Sequence, residues 1–246
     1  MNKLFLLCAS SFLYAASSVY TYTVLLDYRE YNSGVVIDKD YTHFGELNGI
    51  GIKFRKNLNP LKVSLKAEYA AGNSTYEGAT WSGDYLKNSQ SGVHILNIES
   101  GFGMRYFNFI LGYREWNRGK SSYEGDYDEK YYWGYVGIKY ESVLRFRRVV
   151  FAPKVAYEAA ISPKMKVYLG NSPELKLGST TGGYLELPLY FKMYDLVAYL
   201  FYRYQYWHIS KSDYAVLQTD TQKTLIYEPE SITSNQYFGV GVVFNF

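Results

Sequence analysis

The run LKVSLKAEYA, beginning at Leu61, alternates without a break. Leu61, Val63, Leu65, Ala67 and Tyr69 fall on one face, and Lys62, Ser64, Lys66 and Glu68 on the other. LNGIGIKFRK from Leu47 sets Ile50, Ile52 and Phe54 against Gly51, Lys53 and Arg55, and HILNIESGFGMRY from His94 sets Leu96, Ile98, Phe102 and Met104 against Asn97, Glu99, Gly101, Gly103 and Arg105. This period-2 pattern recurs along the chain and predicts ten strands, near 20–31, 47–56, 61–71, 93–106, 107–116, 131–141, 149–160, 183–193, 196–207 and 236–246. About ten residues is the length of a tilted strand that crosses a bilayer.

The connections between these segments are uneven. Those after even-numbered strands are tight: NLNP at 57–60, the joint at Tyr106-Phe107, the basic turn ending at Arg148, and Tyr194-Asp195. Those after odd-numbered strands are long and polar, about 32–46, 72–92, 117–130, 161–182 and 208–235. Short turns at one end and long loops at the other fit a transmembrane antiparallel up-and-down β-barrel with periplasmic turns and external loops. The first sixteen residues carry Lys3, an apolar Leu4 to Leu13 segment too short to span a bilayer, and Ala15-Ala16, the pattern of a signal peptide. The expected division is therefore 1–16 as export signal and 17–246 as one barrel domain. The chain closes with YFGVGVVFNF, with Phe238, Val240, Val242, Phe244 and Phe246 on one face. This strand resembles the closing strand of small Gram-negative outer-membrane β-barrel proteins, a likeness of class and not of any one member. The resemblance implies that Phe246 is the signal read by the barrel-assembly machinery.

Composition agrees with an all-β chain: 29 Tyr and 19% aromatic residues stand beside 21 Gly and 6 Pro. The 26 Lys+Arg against 23 Asp+Glu leave no basic excess suited to nucleic acid. Cys8, the one cysteine, falls within the export signal, so neither a disulfide framework nor a cysteine metal site is expected in the mature chain. A monomer among outer-membrane lipids and lipopolysaccharide is the expected setting.

If the apolar face meets lipid, Lys53, Lys66, Glu68, Glu99, Arg105, Arg114, Lys139, Glu158, Glu186 and Arg203 point into the lumen. Ten strands make a barrel that side chains largely fill, so these charges are expected to pair with one another. The words YREYNSG at Tyr28 and YREWNRG at Tyr113 are nearly the same, and both end outgoing strands. The same register puts Tyr28, Tyr69 and Tyr113 in an aromatic girdle at the lipid interface. It turns Arg29 and Arg114 inward, with Glu30 at the wet rim. Convergence on a strand-exit pattern explains the repeat more simply than hairpin duplication. Trp116 and Trp207, which the register turns inward, and the adjacent His208 are candidate ligand contacts at the rim.

Catalytic signals are thin. The chain's size resembles the omptin surface proteases, which implies Asp pairs and an Asp–His dyad at the outer rim. DYTH at 40–43 has the wrong spacing for that dyad and HISKSD at 208–213 the wrong order. His94 beside Ser100 gives a weak hint of lipid-deacylase chemistry. No phosphate loop or metal-ligand spacing is present, so no cofactor or metal is expected. The sequence therefore points to a structural or surface-interaction barrel, with a small porin-like channel and an omptin-like rim protease as alternatives.

Overall fold

The computed structural model describes residues 16–79, 83–123, 125–193 and 196–244. Most of the expected export signal, with Cys8, lies outside the described residues, as do the Tyr194-Asp195 turn and Phe246. The described residues form seventeen strand segments: β1 (Ala16–Leu25), β2 (Asp27–Asn32), β3 (Val35–Tyr41), β4 (Leu47–Leu58), β5 (Leu61–Ala79), β6 (Tyr85–Met104), β7 (Phe107–Asn117), β8 (Glu129–Glu141), β9 (Leu144–Phe146), β10 (Val149–Phe151), β11 (Lys154–Val167), β12 (Glu174–Lys176), β13 (Thr180–Met193), β14 (Leu196–Ile209), β15 (Ala215–Gln218), β16 (Lys223–Ile226) and β17 (Glu230–Phe244).

Ten of these close a ring of antiparallel pairs in the order β1, β4, β5, β6, β7, β8, β11, β13, β14 and β17, with β17 returning to β1. Closure leaves no free sheet edge at membrane depth, where an unpaired backbone group would cost several kcal/mol. The other seven segments extend the wall or decorate its ends. β2 and β3 form a hairpin on β17 and β5, β9 and β10 form the hairpin joining β8 to β11, β12 flanks β11, and β15 and β16 pair with each other.

The strand segments outnumber the ten expected because the wall rises beyond the lipid band. Stretches read as loops at 32–46 and 72–92 are largely strand, β5 and β6 staying paired up to Ala79 and Tyr85 across a register shift at Gly72/Asn73. Above the band both faces of the sheet are wet, so the apolar alternation that marks a membrane strand disappears. The closing strand likewise begins at Glu230, earlier than expected.

At membrane depth the outer face is apolar and exposed, as at Ile50, Phe102, Phe109, Ile138, Tyr157 and Val240. Tyr69 is also exposed on this face, and Tyr113 points outward with its hydroxyl donating to Glu115 at 2.8 Å. Four expected placements fail, at Tyr28, Arg29, Glu30 and Arg105. Tyr28 is fully buried inside the barrel, because Tyr20, Tyr22, Val24, Leu26, Tyr28 and Glu30 form one continuous inward face. Room for these rings comes from glycines on the neighbouring strands: a Cβ at Gly51 would run into the Tyr20 ring. Arg29 accordingly points outward, paired with Asp27 at 2.9 Å, and Glu30 is buried. Arg105 is not in the lumen either. It is exposed in the turn between β6 and β7 with φ +50°, and its carbonyl accepts from Lys62 Nζ at 2.7 Å.

Candidate binding cavity above a filled lumen

The interior is organised in layers. At membrane depth Lys66, Arg114, Lys139, Lys154 and Arg203 are buried with Glu68, Glu99, Glu141, Glu158 and Glu186, five cations against five carboxyl groups. Arg203 grips both oxygens of Glu68, at 2.7 and 2.9 Å, and donates through Nε to Glu186 at 2.8 Å. Lys154 also bonds Glu186, and Lys139 donates to Glu99 at 2.8 Å. Lys66 sits 3.4 Å from both Glu68 and Glu99, and Tyr20 donates to Glu68 at 2.7 Å. Half-buried Arg55 reaches across to Glu141, and Arg114 crosses to Gln205 at 3.0 Å. Half-buried Lys53 lines, with Lys66, Glu99 and Lys154, a residual void of about 30 Å³. That is room for a water molecule or two, not a conducting path.

Above this network lies an aromatic layer. Trp116 stacks on Tyr131 at 5.0 Å and meets Tyr28 edge-on at 4.8 Å, while Trp133 meets Trp207 at 5.0 Å. The two tryptophans expected to face inward do so, but they are buried packing elements, not open ligand contacts. His208 points outward, with Nε2 at 2.7 Å from Glu230, because alternation along β14 turns Arg203, Gln205, Trp207 and Ile209 inward.

Beyond the aromatic layer opens an outward-facing cavity of about 1090 Å³, with Glu30, Arg118, Glu129 and Glu228 at its floor. Arg118, just past the end of β7, donates to Asp40 at 2.5 Å, to Glu30 at 3.0 Å and to Glu129, and lies over the Tyr28 ring at 4.9 Å. Tyr28 and Tyr131 each place a hydroxyl 2.7 Å from Glu228 Oε1, as donors. Three buried carboxyl groups, Glu30, Asp40 and Glu129, thus share one guanidinium, and a fourth, Glu228, is held by the two tyrosine hydroxyls instead. Burial, with the charge of Glu129, pushes Glu228 up to about 7. Burial raises Asp40 to about 6 despite Arg118, and burial together with Glu228 raises Glu30. The cavity walls are largely apolar, with Met165, Val167, Leu175, Leu217 and Ile226.

None of the three histidines lines this cavity. His43 is exposed between β3 and β4, and His94 lies on the outer wall 3.5 Å from Glu115. Ser100 donates to the Leu111 carbonyl at 3.1 Å and makes no bond to His94. Arg118, Glu129, Tyr131 and Glu228 escaped the sequence reading, although the inward phase that runs from Tyr20 to Glu30 points straight at this floor.

No protein-family model matches the chain, and no curated protein matches its sequence. Among solved structures, the chain is similar to the outer membrane protease OmpT from Escherichia coli, with TM-score 0.56, 10% identity and coverage of 94% of this chain and 97% of that one. Weaker likenesses include Neisserial surface protein A, at TM-score 0.41 and 12% identity over 94% and 99% of the two chains. The β domain of the Bordetella autotransporter BrkA gives TM-score 0.44 and 9% identity over 94% and 99%. These likenesses concern fold: the chain is an all-β antiparallel barrel of the outer-membrane class.

Proposed function

We propose that this chain is an outer-membrane barrel whose filled lumen serves as a rigid base for a surface cavity that binds a cationic, partly apolar ligand. The observation that carries this reading is the contrast between a lumen packed with paired charges around a void of about 30 Å³ and the open cavity above it, lined by Glu30, Glu129 and Glu228 with Arg118, and with Asp40 buried behind that arginine. A ligand amine or guanidinium supplies the missing positive charge, and its apolar portion lies against Met165, Leu175 and Ile226. A porin-like channel is disfavoured by the void of about 30 Å³. An omptin-like protease is disfavoured because the cavity lacks a histidine among its lining residues.

Purified barrel in micelles should bind a short amphipathic Lys/Leu peptide and not its Glu/Leu counterpart, with affinity that falls as salt rises. Glu129→Gln with Glu228→Gln should weaken binding at least tenfold at pH 8. Steady single-channel conductance in planar bilayers, or equal binding of both peptides, would overturn the reading.

A further inference from the structure

A second site lies on the outer wall, away from the cavity. On β8, Lys130 and Tyr132 point outward beside buried Tyr131, and on β11 Lys164 and Lys166 point outward beside buried Met165 and Val167. On β12, Lys176 points outward beside buried Leu175. The register sets Lys166 directly opposite Lys130, and Lys164 directly opposite Lys176. Like charges facing each other across strands are destabilising. Neutralisation from within is partial: Glu174 bonds Lys164 at 2.6 Å and stands opposite Lys166 in the register, and Glu115 lies 3.5 Å from Lys130. Lys166 and Lys176 make no ion pair among the described residues, and Lys166 sits 5.1 Å from the centre of the Tyr168 ring.

The height of this cluster matters as much as its charge. Lys164 stands just beyond the apolar outer face, which ends on these strands at Val136 and Ile161, below the irregularity between Ile161 and Lys164, and Lys130 with Lys166 forms the next tier above it. A lipid lying with its chains on Val136, Ile138, Tyr157 and Ile161 presents its headgroup to the lysines. Tyr132 and Tyr168 offer ring faces beside the ammonium groups, suited to the flat side of a sugar.

We infer that the wall formed by Lys130, Lys164, Lys166 and Lys176 is a binding site for the phosphates of an outer-leaflet glycolipid. The inference rests on the barrel standing with its long loops outward, but not on the cavity having a ligand.

The test is native mass spectrometry of the full mature chain in micelles, titrated separately with bis-phosphorylated lipid A, dephosphorylated lipid A and phosphatidylglycerol. The wild type should hold bis-phosphorylated lipid A at least tenfold more tightly than either of the others. Lys166→Glu with Lys176→Glu should abolish that preference, while Lys39→Glu with Lys87→Glu, a basic pair elsewhere on the outer wall, should retain it. Heat-dependent gel mobility verifies that each variant is folded, and Lys166→Ala with Lys176→Ala replaces the charge reversal if that variant is not. Equal binding of the dephosphorylated lipid, or full binding by a folded variant, would overturn the site. Equal binding of phosphatidylglycerol would overturn the assignment to glycolipid. Peptide binding in the cavity is independent of all these outcomes, because Glu228 faces the interior.

Discussion

At the scale of single residues, Leu65 and Ser64 are neighbours in sequence and occupy different media. Leu65 is exposed on the apolar outer face of β5, whereas Ser64 faces the lumen opposite Arg55. An arginine in place of Leu65 lies on lipid near mid-bilayer and should cost about 2–4 kcal/mol. Ser64→Arg joins an interior already rich in charge, and its loss should be distinctly smaller. Folding titrations in lipid vesicles compare the two, and equal losses would mean the membrane-facing side has been misassigned. The alternation of β5 made that assignment legible from sequence. Tyr28 was not legible in the same way, since tyrosine suits both an interface girdle and a buried donor to a carboxylate. The two nearly identical heptapeptides sit in opposite registers: Tyr28 and Glu30 face in, while Tyr113 and Glu115 face out. Similar words therefore do different jobs, and Tyr28 ends up packed edge-on against Trp116 of the other copy.

At the scale of elements, the rim is held by β2, β3, the end of β7 and the start of β8, whose buried acids meet at Arg118. Sequence patterning placed the membrane strands well because one face had to be apolar. It missed the rim because a wall wetted on both sides imposes no alternation, and because the acids gathered there come from segments far apart in the chain. This cluster should make the rim sensitive to pH. Glu228, raised to about 7, and Asp40, raised to about 6, both hold protons more tightly in the folded state. Their stabilising contribution is complete below the ordinary carboxylate range near pH 4, and is lost as pH rises through about 6 and then about 7. For Glu228 the difference is on the order of 3 kcal/mol. Hydrogen exchange of residues 27–41, corrected for intrinsic rates, should show greater protection at pH 5 than at pH 8. Glu228→Gln should flatten the upper part of that change. Protection that rises with pH would contradict the assignment of burial as the dominant influence on these acids.

At the scale of the whole molecule, six of the charges that the sequence placed in the lumen one by one, Lys66, Glu68, Glu99, Lys139, Glu186 and Arg203, form a connected network, whereas Arg114 bonds the neutral Gln205 and Glu158 keeps an oxygen without a hydrogen-bond partner among the described residues. The inward direction of the charges so placed was legible from alternation, apart from Arg105, which a left-handed turn removes to the periplasmic end. Their partners were not legible, since Arg203 and Glu68 are 135 positions apart. Glu68→Gln leaves Arg203 and Lys66 short of a counter-charge in a buried setting and should cost roughly 3–5 kcal/mol in vesicle folding titrations. A loss below about 1 kcal/mol would mean the network is better hydrated than its burial indicates. The long reach of these pairs also bears on how the barrel forms. Arg203 with Glu68, Arg55 with Glu141, and Arg114 with Gln205 each join walls four strands apart around the ring. A sheet that has entered the bilayer but not yet curled shut has those groups facing lipid with their partners out of reach. Partly closed sheets are therefore sparsely populated intermediates, and insertion is expected to proceed in one cooperative step in which curvature, closure and neutralisation of the interior arrive together.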